Sequence, residues 1–290
     1  MKNTSPYSAI VFAGGGCRCL WQVGFLSEAE PALGIKPNVI AAASAGAAMA
    51  CIYYAGRADF ALDHFKKATS GNRKNFYLSN LFADRPAFPH YAIYRDLMLA
   101  ALDKEALMRL RKGPSIRVAI SRPPAGLGPR AASLIGILAY LIDRRLYGYV
   151  HPKLPARLGF HPEILTAQNC KTAEDLADLV LASSCTPPFT PILRITGKTA
   201  LDGGLFDNVP SHALSKHDNP ALILLTRRYA ESAIPKIPGR LYVQPSQPLP
   251  ISKWDYTNPL KMQETFDSGR KDGERFATQQ IETHRRCASL

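Results

Sequence analysis

Hydrophobic positions along this chain follow two spacings. Short unbroken apolar runs stand at residues 8–12 (SAIVF), 38–43 (NVIAAA), 115–121 (SIRVAIS) and 221–226 (ALILLT). Runs of that length, partly β-branched and bounded by turn residues, predict strands buried on both faces. Elsewhere apolar residues recur at three- and four-residue spacing, which predicts helices. A helix is expected over about 17–28, stopped by Pro31 and Gly34, and another over 45–56, closed by Gly56. Residues 60–70 read as an amphipathic helix, and 91–113 as one continuing helix. In 171–184, Thr172 stands as N-cap with Asp175 three places on, a near capping box, and TPPFTPI (186–192) ends that helix. KTALDGGLFDNVP (198–210) reads as a strand running into a turn. RLYVQP (240–245) follows ALILLT, and a basic, polar helix is expected to close the chain.

Strand, sharp turn and helix occur twice within the first fifty or so residues, so a parallel sheet with crossover helices is the expected architecture. RPPAGLGPR (122–130) is a Pro/Gly-rich break, but no repeat, low-complexity stretch or clear linker divides the chain. One α/β domain over residues 1–290 is the simplest organisation, with a core of about 8–226 and an extension of about 227–290.

Composition narrows the picture. At 290 residues, 46% of them hydrophobic, the chain can bury one large core. Lys and Arg number 36 against 23 Asp and Glu, a net charge of +13 that favours anionic partners such as lipid headgroups. No aromatic–basic alternation of the kind that binds single-stranded nucleic acid is present, so nucleic acid is not expected as a partner. The cysteines at 17, 19, 51, 170, 185 and 287 are scattered, and the N-terminus has only a short apolar stretch. Free thiols in a cytoplasmic protein are therefore expected. Cys17 and Cys19 are spaced C-x-C with no second pair, so no metal is expected. The longest apolar run, residues 131–142, is twelve residues, short of the ~20 that span a bilayer.

Three local patterns carry chemistry. The first is VFAGGGCRC, where Gly14, Gly15 and Gly16 separate the first strand from a helix. Such a loop either cradles an anion with its N–H groups or is only a tight turn. A dinucleotide fingerprint is a poor fit, because GGGCRC lacks the final glycine and no acid ends the second strand. The second pattern is AAASAGAA, which places Ser44 between strand and helix with Ala42 and Gly46 two residues to either side. That is the small-x-Ser-x-Gly form of a nucleophile elbow, although a serine there can also merely cap the helix. The third is LDGG, where Asp202 ends a strand before Gly203 and Gly204; it too can be an ordinary turn.

In that order and spacing, together with ASSCTPPFTPI (182–192), the three patterns resemble the patatin-like phospholipase family. The resemblance covers roughly residues 8–226 and implies a three-layer α/β/α fold with a mainly parallel central sheet. It further implies a lipolytic acyl hydrolase, a phospholipase A or carboxylesterase, with a Ser44–Asp202 dyad and no cofactor. An oxyanion hole would come from Gly14, Gly15, Gly16, Cys17 and Arg18. Ala42 and Gly46 would support the elbow, and Gly203 and Gly204 the acid. Phospholipids or related acyl esters would be the substrates. Two positions depart from the family pattern: Cys19 stands where a loop glycine is usual, and Ala42 where the elbow glycine is usual. Each adds a side chain in tight space. The alternatives are therefore a lipid-binding module with a blunted site, or an acyltransferase using the same dyad.

Two further features need a structure. His212 and His217 follow Asp202 in Ser–Asp–His order, which would suit a triad. Residues 132–149 form a strongly apolar segment flanked by Arg130, Arg144 and Arg145. They form either a core-packed helix or an interfacial one that contacts an anionic membrane peripherally. The basic residues near the C-terminus, Arg270, Lys271, Arg285 and Arg286, read as a solvated face.

Overall fold

The computed structural model describes residues 5–82 and 86–288. It is a mixed α/β protein whose central, mostly parallel sheet is flanked by helices. In chain order the elements are β1 (Ala9–Phe12), α1 (Leu20–Leu33), β2 (Val39–Ala43), α2 (Ala45–Tyr54), α3 (Ala58–Ser70), α4 (His90–Ala101) and α5 (Lys104–Leu110). Then come β3 (Ser115–Arg122), α6 (Pro129–Tyr147), α7 (Leu154–Arg157), β4 (His161–Thr166), α8 (Ala173–Ser183), β5 (Leu193–Ile195) and β6 (Lys198–Asp202). The chain continues through α9 (Gly204–Asp207), β7 (Ala221–Leu224), β8 (Arg240–Val243) and α10 (Pro259–Ala288).

β1, β2 and β7 are buried along their whole length, as unbroken apolar runs require at the middle of a parallel sheet. β1 pairs in parallel with β2 on one side and β7 on the other, with Phe12 opposite both Ala42 and Leu224. β3 extends the parallel set beyond β2, and β8 beyond β7. Side-chain alternation divides the core in two. Ile10, Phe12, Ile40, Ala42, Leu222 and Leu224 face a thick helical layer that includes α1, α2 and α8. Ala9, Val11, Val39, Ala41, Ala221 and Ile223 face a thinner layer built largely from Val150, Val209 and the 213–214 turn.

Several helix boundaries differ from the sequence expectation. The first helix runs to Leu33 with Pro31 inside it, because Gly34 takes the left-handed cap and donates its N–H to the Glu30 carbonyl. The expected helix over 91–113 is broken: Asp103 caps a new helix by accepting from Ala106 N–H at 2.8 Å. The capping box at Thr172 and Asp175 forms as its spacing requires. β4 and β5 were not expected, since Pro162, Glu163 and Arg194 disguise them.

One pairing decides where the chemistry sits. β3 presents residues 117–122 to β4 along one edge. Its other edge holds β2 as far as Ala43 opposite Ala119, and there Asp202 of β6 takes over, opposite Ile120. β6 is antiparallel to β3, so β2 and β6 meet head-on along one line. The serine following β2 and the acid ending β6 are thereby brought together. Arg122, buried at the end of β3, secures the arrangement. It donates to Glu163 at 2.6 Å and to the Lys198 and Thr199 carbonyls at 2.9 and 2.8 Å.

No helix among the described residues is long and apolar enough to cross a membrane.

Candidate active site

Ser44 joins β2 to α2 with φ 54° and ψ −137°. A non-glycine residue held there costs on the order of 1–3 kcal/mol and persists only where its surroundings impose it. Here they do. The Ser44 N–H donates to Ser183 Oγ at 2.8 Å, and Ser183 Oγ donates to the Ala119 carbonyl at 2.7 Å. A Cβ on Gly46 would lie 2.6 Å from the carbonyl oxygens of both Phe12 and Ala13, so the helix can approach β1 only with glycine at that position. Ala42 is fully buried in β2 and packs into the helical-side core.

Ser44 Oγ donates to Asp202 Oδ2 at 2.7 Å. Asp202 also accepts from Gly204 N–H at 2.7 Å and from Thr186 Oγ1 at 3.3 Å. A Cβ on Gly203 would overlap the Ala119 carbonyl, and one on Gly204 would lie 2.7 Å from Asn208 Oδ1, which explains the double glycine after the acid. Burial pushes the Asp202 carboxyl above its ordinary value, and this outweighs the opposing hydrogen bonds from Ser44 and Gly204 and the charge of Lys253.

The glycine loop borders the same cavity as this pair. Gly15 and Gly16 line the cavity beside Ser44, and neither N–H has a protein acceptor among the described residues. Ala45 N–H, at the start of α2, is likewise without one. Two of the expected oxyanion donors are committed elsewhere. Gly14 N–H donates to the Asn208 carbonyl at 2.8 Å, and Cys17 N–H to the Lys253 carbonyl at 3.2 Å. They anchor the loop at both ends and leave the middle free. Arg18 reaches back to the Gly15 carbonyl at 3.4 Å and lines the cavity. Cys19 turns into the core, fully buried, with its thiol on the Ala13 carbonyl at 3.5 Å, so the extra side chain does not enter the cavity.

The histidines are placed otherwise than a triad needs. His212 Nδ1 lies 3.6 Å from Asp207, not beside Asp202, and His217 is exposed. His90 lines the cavity, but its Nε2 contacts the Trp254 carbonyl at 2.9 Å. Cys17, Cys19, Cys51, Cys170 and Cys185 are free thiols; Cys287 lies outside the described side chains. No group of His, Cys, Asp or Glu suited to a metal occurs among the described residues.

Four supporting residues had no clear sequence signal. Ser183 and Arg122 hold the strand ends, as above. Asn208 lies in the turn that follows the 198–202 strand, and its side chain donates to the Gly14 carbonyl at 2.7 Å across 194 residues of sequence. Thr226 Oγ1 donates to the same carbonyl at 2.6 Å.

The cavity above Ser44 has a volume of about 320 Å³, enough for a small ester or part of an acyl chain. Tyr91, Tyr94, Phe189, Trp254 and Tyr256 supply aromatic walls, and Ile137, Leu141 and Leu205 aliphatic ones. A serine hydroxyl bonded to a partly buried carboxylate, in one cavity with unpaired N–H groups and apolar walls, is an arrangement suited to acyl transfer through a covalent intermediate.

No curated protein matches the chain. Among solved structures, VipD from Legionella pneumophila is similar with a TM-score of 0.45 and 11% identity, covering 94% of this chain and 67% of that one. The family model described as patatin-like phospholipase matches residues 10–215. That span holds the glycine loop, the Ser44 turn and Asp202, and it covers most of the 290 residues: the protein belongs to the patatin-like phospholipase family, a family of lipid acyl hydrolases.

Proposed function

We propose that this protein is a serine acyl hydrolase acting on lipid esters, with Ser44 as nucleophile and Asp202 as general base. The observation that carries the reading is the 2.7 Å hydrogen bond from Ser44 Oγ to Asp202, in the cavity that Gly15 and Gly16 line with N–H groups that have no protein acceptor among the described residues. Ser44 Oγ attacks the ester carbonyl while Asp202 takes its proton. The tetrahedral oxyanion accepts hydrogen bonds from Gly15 and Gly16, with Ala45 N–H as a further donor. Collapse expels the alcohol, which leaves with the proton held by Asp202, and the acyl group stays on Ser44. Water then gives its proton to Asp202 and attacks the acyl carbon. The resulting intermediate releases the carboxylic acid and returns the proton to Ser44.

A fluorophosphonate probe reacts readily only with an activated serine, so labelling is expected at Ser44 and at no other serine. Absence of labelling in the folded protein would overturn the reading in favour of a lipid-binding module. Product analysis with an added alcohol separates hydrolysis from acyl transfer. The pH profile follows from the burial of Asp202. The base must be ionised, and its pKa lies above the usual value. The acid limb of kcat/KM therefore falls at higher pH than the ~4 of an ordinary aspartate. A limb at or below that value would count against Asp202 as base.

The reading extends to membrane contact. α6 presents Leu134, Leu138, Leu141, Ile142 and Leu146 to solvent at 43–68% exposure, with Arg130 and Arg145 beside them. The same helix lines the cavity with Ile137, Tyr140, Leu141 and Arg144. An apolar stripe with basic neighbours fits the interface of an anionic bilayer, and here it borders the mouth through which a lipid would enter. Wild-type protein is expected to sediment with phosphatidylglycerol vesicles, and Leu138→Asp/Leu146→Asp to remain in the supernatant. Equal sedimentation of the two would remove α6 as the contact.

A further inference from the structure

Four cations line the cavity: Arg18, Arg144, Arg227 and Lys253. Asp202 is the one carboxylate among the lining residues. None of the four cations forms an ion pair among the described residues. Their contacts are to neutral groups. Lys253 Nζ lies 5.4 Å from the centre of the Trp254 ring. Arg227 is held between two tyrosines: its Nε donates to Tyr229 at 2.7 Å and one terminal nitrogen to Tyr140 at 2.6 Å. Its other terminal nitrogen has no protein partner among the described residues. Arg144 and Lys253 are exposed to solvent.

Like charges gathered at one cavity repel, and the repulsion is felt here. Partial desolvation by the surrounding protein lowers the Lys253 ammonium pKa even though the residue keeps contact with solvent, and Arg18, Arg144 and Arg227 lower it further, while Asp202 opposes them. Arg18 is lowered by burial and then by Arg227. Such a cluster is costly for the empty protein and is offset when an anion binds. Three guanidinium groups and a lysine point charge suit a tetrahedral oxyanion carrying more than one negative charge. Two of the four cations, Arg227 and Lys253, lie beyond residue 215, where the family match ends.

We propose that Arg144, Arg227 and Lys253, together with Arg18, form a subsite for a phosphate group, so that the preferred substrate is an acyl ester bearing a phosphate monoester close to the scissile bond. The proposal rests on the hydrolase reading above for its substrate, though not for its anion. The tyrosine clamp presents Arg227 in one orientation, while Arg144 and Lys253 close on the phosphate from the open side. The bound phosphate then sets the distance from headgroup to Ser44, which selects the ester that reaches it.

Two measurements test this. Titration calorimetry of the intact protein uses inorganic phosphate, glycerol 3-phosphate and hexanoate as probes. Saturable binding of glycerol 3-phosphate is expected, tighter than hexanoate and weakened at least about tenfold in Arg144→Gln/Lys253→Gln, the loss of one charge-assisted hydrogen bond or more. Both substituted side chains are exposed, so the fold should hold; a matching melting curve checks it. Inorganic phosphate binding as tightly as glycerol 3-phosphate would identify free phosphate as the ligand and overturn the headgroup assignment. Tighter binding of hexanoate would assign the cluster to the fatty-acid product instead. The second measurement compares kcat/KM for hexanoyl glycerol 3-phosphate and monohexanoylglycerol. A preference of at least about tenfold for the phosphorylated ester is expected, shrinking by a similar factor in the double variant. Equal rates for the two esters would overturn the subsite while leaving the hydrolase standing. Binding without hydrolysis of either ester would do the reverse.

Discussion

Asp202→Asn is expected to lower kcat/KM for a short p-nitrophenyl ester by about 10²–10⁴-fold without lowering the melting temperature. Asparagine keeps the shape of the side chain and can still accept from Gly204 N–H, which bonds Asp202 at 2.7 Å in the native protein. It cannot take the Ser44 proton. Stability follows a different sign. A carboxyl whose pKa burial has raised is held ionised in the fold at a cost, so a neutral amide relieves that cost at neutral pH. Activity and stability should therefore separate, with melting unchanged or slightly higher. Ser44→Ala should lose as much activity, and the double variant scarcely more, because the two groups act as one unit. A parallel fall in melting temperature, or hydrolysis within tenfold of wild type, would show that Asp202 is a structural partner of Ser44 and not its base.

Gly16→Ala should cost about 10²-fold or more in kcat with a smaller change in KM, because it moves a donor that acts on the transition state. Gly16 has φ 59°, and a Cβ there would overlap the Lys253 carbonyl, a backbone group that also accepts from Cys17 N–H. The backbone cannot yield as a flexible side chain would, so the loop shifts and carries Gly15 and Gly16 N–H with it. Gly34→Ala is the control. Gly34 has nearly the same φ, 62°, but no atom lies within 4 Å of its would-be Cβ, and it caps α1 away from the cavity. It should lose about 1 kcal/mol of stability and no activity. If the two variants behave alike in kinetics, the loop has no part in the reaction.

Much of the local structure was legible from the chain. An unbroken apolar run such as AIVF can be satisfied only by burial on both faces, and Ser44 between small residues can be read as a sharp turn because crowding there is a short-range effect. The breaks that were missed were also local but ambiguous. Asp103 looks like one more polar residue on an amphipathic helix until its carboxylate is seen capping Ala106. Pro31 reads as a stop, yet one missing N–H is tolerated in a last turn that Gly34 closes.

The chain by itself determined the central buried strands β1, β2, β3 and β7, the helices that follow the first two, the sharp turn at Ser44 and the glycines that open the first loop, because each depends on neighbours within a few residues. Only the tertiary structure decided that β6 runs back against β3 to bring Asp202 to Ser44, that Asn208 and Lys253 take up the Gly14 and Cys17 N–H groups, and that four cations converge on one cavity. Those contacts join residues tens to hundreds of positions apart. No periodicity or spacing encodes them, since they follow from how the buried faces of the sheet and helices pack together.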